Sequence, residues 1–464
     1  MAIVLKLVRG ATTLTLNATY SATGFMVHSW VPKVATPEIG REPEPVTETM
    51  NIRTMETTQD LLATDLQALA DMQFWARSYM EDSTETNPVW LHAKLTNETG
   101  ERRALVRRID VVFATPWFGP LADNAKYLGL ELVIEREPYW EAVASAEIGN
   151  IDVTLTAGAS VVVDYTASPG TDIVGDVAAR LGYFAIDSAT NGRLWVGIRS
   201  ANKHPALANF IPIWECEDAQ ATLGTDAALA ADTTASPGGA GNLKVTVTPG
   251  TASWANRLKI ELQDVTANYS DNFGRFLWLL RAKVSAGTWE LQLRHGFSLM
   301  ADADLIQGPI VQLTSTSWNY LEMGVADMPS VDPDATDMVR TELPYAAIHI
   351  FARRTAGTGT LDLDCVCPVP VDEGFWKLGP WNASAGANPK GVLFQTPRNS
   401  FHWARVSSTM FEIPGSSQHS FSLPIGDGRL VIVYARNATS TLTDQIALAG
   451  GKYYPRWLSL RGSQ

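Results

Sequence analysis

Apolar and polar positions alternate with a period of two over most of this chain, and the exceptions are few. The run Val46-Thr47-Glu48-Thr49-Met50-Asn51-Ile52-Arg53 predicts a strand with one buried face. The period then changes. Across roughly 58–80, Leu62, Leu66, Leu69, Gln73, Ala76 and Met80 recur at spacings of three and four, and Leu61, Met72, Trp75 and Tyr79 widen the stripe. Asp65, Gln67, Asp71 and Arg77 fall on the other side. Thr57 suits an N-cap, and Asp60 stands where the acid of a capping box would stand. The spacing predicts one amphipathic helix whose apolar face a sheet or a neighbouring subunit must cover. Alternation resumes at Trp90–Leu95, Ala104–Phe113 and Tyr127–Ile134.

Beyond residue 144, Val- and Thr-rich runs bounded by Gly, Pro, Asn and Asp return at strand-like intervals. Ile148–Leu155, Ser160–Tyr165 and Gly192–Arg199 read as strands, and Asp172–Leu181 as a second, short helix. Residues 219–256 are rich in small residues. Leu243-Lys244-Val245-Thr246-Val247-Thr248 still alternates there, which favours strands joined by small-residue loops, with Ser236-Pro237-Gly238-Gly239 as a turn. The fold class is mainly β and multi-domain.

The stretch 44–141 carries a resemblance. Its strand, single helix, further strands and closing Arg136-Glu137-Pro138-Tyr139-Trp140-Glu141 resemble the ring-forming first domain of a siphophage distal tail protein. The closing Tyr453-Tyr454-Pro455-Arg456-Trp457 is similar to phage tail proteins of the same group. Between them, Trp214-Glu215-Cys216-Glu217-Asp218, the paired runs 276–284 and 287–293, and Thr360–Pro370 resemble a jelly-roll β-sandwich of the carbohydrate-binding type. The resemblance implies three parts: a tail-tube-like ring domain with one helix (1–144), a galectin-like β-sandwich split into 145–211 and 375–464, and an inserted carbohydrate-binding-module-like sandwich (212–374). It further implies a homo-oligomeric ring of six at the tip of a long non-contractile tail. The tail tube, tape measure and tail hub would be its partners, DNA would pass through the lumen without specific binding, and the inserted sandwich would face host-surface polysaccharide. Such a protein is made in the host cytoplasm and ends in the virion. The competing class is a stand-alone carbohydrate-binding protein or glycosidase accessory.

Composition constrains these readings. The chain has 464 residues, 45% hydrophobic and 18% charged, with a net charge of −13. That surface repels nucleic acid unless basic residues cluster, and the densest group is Arg102, Arg103, Arg107 and Arg108. Those four lie in a strand context, which suits cross-strand or intersubunit ion pairs. Met1–Val8 is too short for a signal peptide core, and no apolar window approaches ~18 residues, so the expectation is a soluble protein.

Catalytic signatures are missing from the sequence: no Gly-x-Ser-x-Gly elbow, no P-loop, and no zinc-like spacing among the 7 histidines. The expectation is a protein that is not an enzyme. A glycosidase would need two carboxylates about 5–10 Å apart; acids such as Asp302, Asp304, Asp332, Asp334 and Asp337 are available, but a solvated loop explains the last three and none sits in a signature context. Trp254, Trp278, Trp289, Trp318, Tyr269 and Tyr320 could stack on sugars, but aromatics beside Leu on alternating strands belong to cores. Cys365-Val366-Cys367 puts two sulfurs on one face. Cys216 could bridge to either, closing a loop worth roughly 4 kcal/mol. A reducing cytosol favours three buried thiols instead. By resemblance, Glu215, Glu217 and Asp364 are the candidate ligands of a structural calcium, the one cofactor the sequence suggests.

Overall fold

The structure is a computed structural model. It describes residues 2–17, 24–35, 44–54, 56, 59–82, 85–95, 100–113, 129–147, 151–155, 160–166, 177–187, 192–200, 213–232, 243–248, 252–262, 274–328, 346–371, 374–381, 390–395, 401–405, 417–418, 428–436, 444–448 and 451–460. The predicted turn at 236–239, Thr57, Tyr269, Asp332, Asp334 and Asp337 lie outside these residues. Among the described residues the fold is mainly β, with a single helix. That helix is not long and apolar enough to cross a membrane.

The N-terminal part contains β1 (Ala2–Arg9), β2 (Thr12–Thr15), β3 (Phe25–Trp30), β4 (Val46–Thr54), α1 (Gln59–Glu81), β5 (Trp90–Leu95), β6 (Arg102–Phe113), β7 (Gly129–Arg136) and β8 (Trp140–Ala142). Strands β2, β1, β5, β6 and β8 pair in that order; β3, β4, β7 and β6 form a second layer that shares β6. Helix α1 buries Leu69, Met72 and Ala76 in the core that also holds Leu5, Leu7, Met50, Ile52 and Leu132. Tyr79 and Met80 pack separately against Trp90 and Leu105. Bonds from Gln67 to Asp71 (2.8 Å) and from Arg77 to Glu81 (2.8 Å) line the solvent face. Leu61 departs from the predicted stripe and is 42% exposed. It sits only about 20° from Met72 around the helix, so angular position alone does not account for its exposure.

The chain continues through β9 (Ala146–Glu147), β10 (Ile151–Leu155), β11 (Ser160–Thr166), β12 (Val177–Asp187) and β13 (Gly192–Ser200). The predicted helix over Asp172–Leu181 is not there: Val177–Leu181 opens β12, and 172–176 lie outside the described residues. Ala178, Ala179 and Arg180 favour a helix locally, but Tyr183, Phe184 and Ile186 extend the segment as a strand, and its ladder partner fixes it.

An inserted sandwich follows: β14 (Trp214–Glu215), β15 (Ala221–Leu223), β16 (Ala227–Ala231), β17 (Leu243–Val247), β18 (Ala255–Glu261), β19 (Gly274–Val284), β20 (Thr288–Phe297), β21 (Ile306–Leu313), β22 (Asn319–Met328), β23 (Ala346–Ala356) and β24 (Leu361–Pro370). One sheet runs β16-β17-β24-β19-β22 with β14 on β24, and the other runs β15-β18-β23-β20-β21. Val245, Leu258, Trp278, Trp289, Leu291, Ile350 and Leu363 fill the space between them.

The chain returns through β25 (Gly374–Trp381), β26 (Lys390–Gln395), β27 (Phe401–Arg405), β28 (Ser417–Gln418), β29 (Gly428–Arg436), β30 (Asp444–Leu448) and β31 (Gly451–Trp457). Strands from before and after the insertion pair with one another: β10 with β30, β11 with β29, β12 with β31, and β13 with both β25 and β29. Within the insertion, β14 pairs with β24 at Trp214↔Val366 and Glu215↔Cys365. Its entry and exit therefore lie side by side, the geometry that lets one unit interrupt another without splitting it.

Every residue of β24 is buried. A bulge explains how both faces are used. The register with β19 passes from Arg281↔Cys365 to Ala282↔Leu363, so Asp364 is the extra residue. Leu361, Leu363 and Val366 enter the sandwich core. Cys365, Cys367 and Val369 face outward, against Trp195, Phe375 and Val433 of the flanking strands. Glu322 seals this contact, accepting from Trp195 Nε1 at 2.9 Å and pairing with Lys377 at 2.5 Å.

Candidate functional site

The acidic strand predicted at 214–218 meets the bulge of β24. Ligand atoms of Glu215, Asp364 and Cys365 all lie within 4.8 Å of one another. Asp364 is paired with Arg281, and Asp218 Oδ2 accepts from the Glu215 amide at 2.9 Å. Glu217 belongs to the same field. Its carboxyl is pushed up by burial and by the neighbouring Asp364, Asp218 and Asp232. Burial raises the Asp364 carboxyl too, against the pull of Arg281. Two buried oxygens, Glu217 Oε2 and Asp364 Oδ1, accept no hydrogen bond. Of the three expected ligands the structure brings Glu215 and Asp364 together, with the Cys365 thiol rather than Glu217 as third member; the spare carboxylate oxygens are the hard donors that calcium takes. Arg281 and Cys365 were missed in the sequence because only the bulge and the long-range pairing bring them here. All three cysteines are free and buried. Burial and nearby acids raise the Cys216 thiol well above its ordinary value, and burial and Cys367 do the same to Cys365.

The two outer sides of the sandwich differ. The outer side of the β16–β22 sheet is partly covered by the flanking strands, as described above, whereas the outer side of the β15–β21 sheet is polar and layered in register. The turn at 301–305 bonds to polar side chains of this second side: Asn256 Nδ2 donates to Asp302 Oδ1 at 3.4 Å and Arg294 Nη1 to the Asp302 carbonyl at 3.3 Å. Asn256, Phe351, Gln292 and Ile310 stand side by side across four strands. Lys259, His349, Arg294 and Gln307 form the next row. Arg353 and Glu290 pair at 2.7 Å on the other flank. The Arg294 guanidinium lies 3.9 Å above the Phe351 ring and donates to Gln292 at 2.9 Å. Burial lowers the His349 imidazole to about 4, so it is neutral at pH 7. With Asn256 donating to Nδ1 at 2.9 Å, the His349 proton sits on Nε2. Both His349 Nε2 and Asn256 Oδ1 are buried without a hydrogen-bond partner. Of the aromatic candidates, Trp278, Trp289 and Tyr320 are buried. Trp254 is half-buried beside Arg353, and Trp318 lies half-buried against Arg281 and Lys283.

A third constellation joins the two ends of the chain. The ladder of β31 with β8 sets Arg456 opposite Glu141 and Trp457 opposite Trp140. Glu141 is buried and accepts from Arg180 Nε and Nη2, both at 2.8 Å, and from Arg103 Nε at 2.9 Å. Arg456 lies 3.9 Å away. Burial would raise this carboxyl, but the three arginines outweigh it and hold it below its ordinary value. Arg107 pairs with Glu137 at 2.7 Å and Arg108 with Asp110 at 2.9 Å, while Arg102 stacks on Trp457 at 4.0 Å. The cluster of arginines seen in the sequence is therefore engaged within the chain. Nearby, Arg136 and Glu48 form a fully buried pair at 2.6 Å.

No family model matches the chain, and no curated protein matches it. Among solved structures it is similar to the xylanase 10B carbohydrate-binding and catalytic modules of Clostridium thermocellum, complexed with xylohexaose, at 14% identity and a TM-score of 0.21, over 34% of this chain and 26% of that one. The Dit protein of phage SPP1, described as a paradigm of the hub adsorption apparatus in phages infecting Gram-positive hosts, is similar at 8% identity and a TM-score of 0.21, over 76% of this chain and 99% of that one. The tandem carbohydrate-binding modules of Paenibacillus barcinonensis Xyn10C match at 8% identity and a TM-score of 0.21, over 64% and 99%. The chain spans about a quarter of the xylanase structure. At such scores none of these likenesses decides a function, and the residues must.

Proposed function

We propose that this chain is a non-catalytic structural subunit of a phage tail tip. Its first part, 1–144, joins copies into a ring around the DNA channel, six by family resemblance. The split unit 145–211 with 375–464 carries the insertion 212–374 on the outside of that ring, where it meets host-surface polysaccharide. The observation that carries this reading is the meeting of the two tail-like motifs. The ends of the two motifs, Trp140-Glu141 and Arg456-Trp457, over 300 residues apart in sequence, pair antiparallel beside the Glu141–Arg180 bond. Two independent resemblances to one family thus converge on one joint.

The polar outer side of the β15–β21 sheet, with its partly exposed Lys259, Glu290, Arg294 and Arg353, supports the polysaccharide role. Calcium, when bound, would be held by Glu215, Glu217 and Asp364 and would tie the entry strand β14 to the exit strand β24. Its contribution would be structural, since these acids lie at the strand junction rather than on the polar outer side of the β15–β21 sheet. Light scattering of the purified full chain, paired with a glycan array, tests the reading. A discrete oligomer that retains bacterial surface glycans is expected. A monomer that hydrolyses glycans would overturn it in favour of a stand-alone enzyme accessory.

A further inference from the structure

Two features of the first part find no use within a single chain. The segment 31–35 follows β3 and projects Val31 (79% exposed), Lys33 and Val34 (60% exposed) into solvent. Its backbone is nonetheless fixed: Arg136 Nη2 donates to the Lys33 carbonyl at 2.8 Å, and Ala35 is buried. A backbone already fixed loses little further entropy on docking, which leaves only the side chains to be ordered.

The second feature is a cleft of about 480 Å³ between the C-terminal half of α1 and β6. That volume lies within the roughly 300–1,000 Å³ of well-formed binding pockets. Met80 and Ile109 supply apolar lining, and Phe74 stands 67% exposed on the adjacent turn. The arginines at the cleft are already engaged, Arg77 with Glu81, Arg107 with Glu137 and Arg108 with Asp110. Glu135, also in the lining, has no ion pair among the described residues. The order β3-β4-β7-β6 sets β3, which leads into the projecting segment, three strand spacings or roughly 14 Å from β6, which lines the cleft.

We propose that Val31-Pro32-Lys33-Val34 of one copy seats in the α1–β6 cleft of the next, with Lys33 pairing with Glu135. The proposal rests on the ring reading above and names its contact. A projecting apolar segment and an unlike receiving cleft make a heterologous, head-to-tail interface, which closes into a ring when the rotation per step allows. The valines cover Met80 and Phe74, and the lysine pairs with Glu135, whose cross-strand neighbour Arg108 is drawn to Asp110 instead.

Mass photometry of the full chain over a concentration series tests this, using Lys33→Glu, Glu135→Lys, the double swap and Val31→Asp. All four changes lie on solvent-facing or cleft positions, and unchanged circular dichroism checks the fold. Each single change is expected to weaken assembly by about tenfold or more, and the double swap to recover most of the loss. Assembly unaffected by the single changes, or singles that weaken it without recovery in the swap, would overturn this contact while the ring stands. A wild-type chain that stays monomeric throughout would overturn the ring and the contact together.

Discussion

Glu141 and Asp364 are both buried carboxylates on strands that tie one part of the chain to another, and they are neutralised in opposite ways. Three arginines surround Glu141, which is saturated with donors and held ionised. Asp364 shares one arginine with a crowd of acids, keeps an unbonded oxygen, and is pushed toward its protonated form by burial. The first arrangement is complete without any ligand and acts as a lock. The second has surplus negative charge and spare oxygen, and a divalent cation would complete it. Where the charge of a buried cluster closes on itself, the cluster holds the fold; where it does not, something from solution has a place.

Breaking the lock should have the largest effect. Glu141→Gln strands three arginines in a buried site, and breaking a buried pair costs about 3–5 kcal/mol. Denaturant unfolding followed by tryptophan fluorescence should show a loss of that order, with the N- and C-terminal parts released from each other. A loss below about 1 kcal/mol would mean the joint holds by packing alone.

The acidic cluster should respond to calcium. At one hundred times its dissociation constant, calcium should stabilise the protein by about 2.7 kcal/mol. Glu217→Gln should abolish the shift in melting temperature, whereas Glu141→Gln should leave it intact. No shift in the wild type would remove the metal.

A pH effect of intermediate size separates a third carboxylate from both. Burial, then a hydrogen bond and repulsion from Glu56, raise Asp65 from 3.8 to about 7. Glu56 is itself buried and accepts the Gly24 amide. The folded state therefore holds a proton that the unfolded state releases between about pH 4 and 7, so stability falls as pH rises through that window. Asp65→Asn should flatten this slope, raising the melting temperature at pH 8 and changing it little at pH 4. An unchanged pH profile would contradict the shared proton.

The smallest stability effect is expected on the polar outer side of the β15–β21 sheet. Arg353→Ala breaks a partly exposed pair, worth about 0–1 kcal/mol. The same change should still reduce polysaccharide retention in affinity electrophoresis. Full retention in both Arg353→Ala and Arg294→Ala would place binding elsewhere.

Much of the scaffold was legible in the sequence, and the reasons are local. The change of period at 58–80 marks α1, which spans Gln59–Glu81. The alternation of Val46–Arg53 marks β4. The error at Asp172–Leu181 arose where local propensity competed with a ladder partner, β31, more than 270 residues away. The chemistry was less legible. On β20, Glu290, Gln292 and Arg294 alternate visibly with Trp289, Leu291 and Leu293. Nothing local, however, says which sheet the flanking strands cover. Likewise, the period-two rule puts Leu363 and Cys365 on one face, and only the bulge at Asp364 separates them.

The central claim is that identical copies join edge to edge through the first part and carry the insertion on the outside. Electron microscopy of the purified full chain tests it most directly. Class averages down the axis should show a closed ring with an open centre and peripheral lobes, one for each copy. Particles that are single chains at every concentration, or assemblies whose lobes fill the centre, would contradict it.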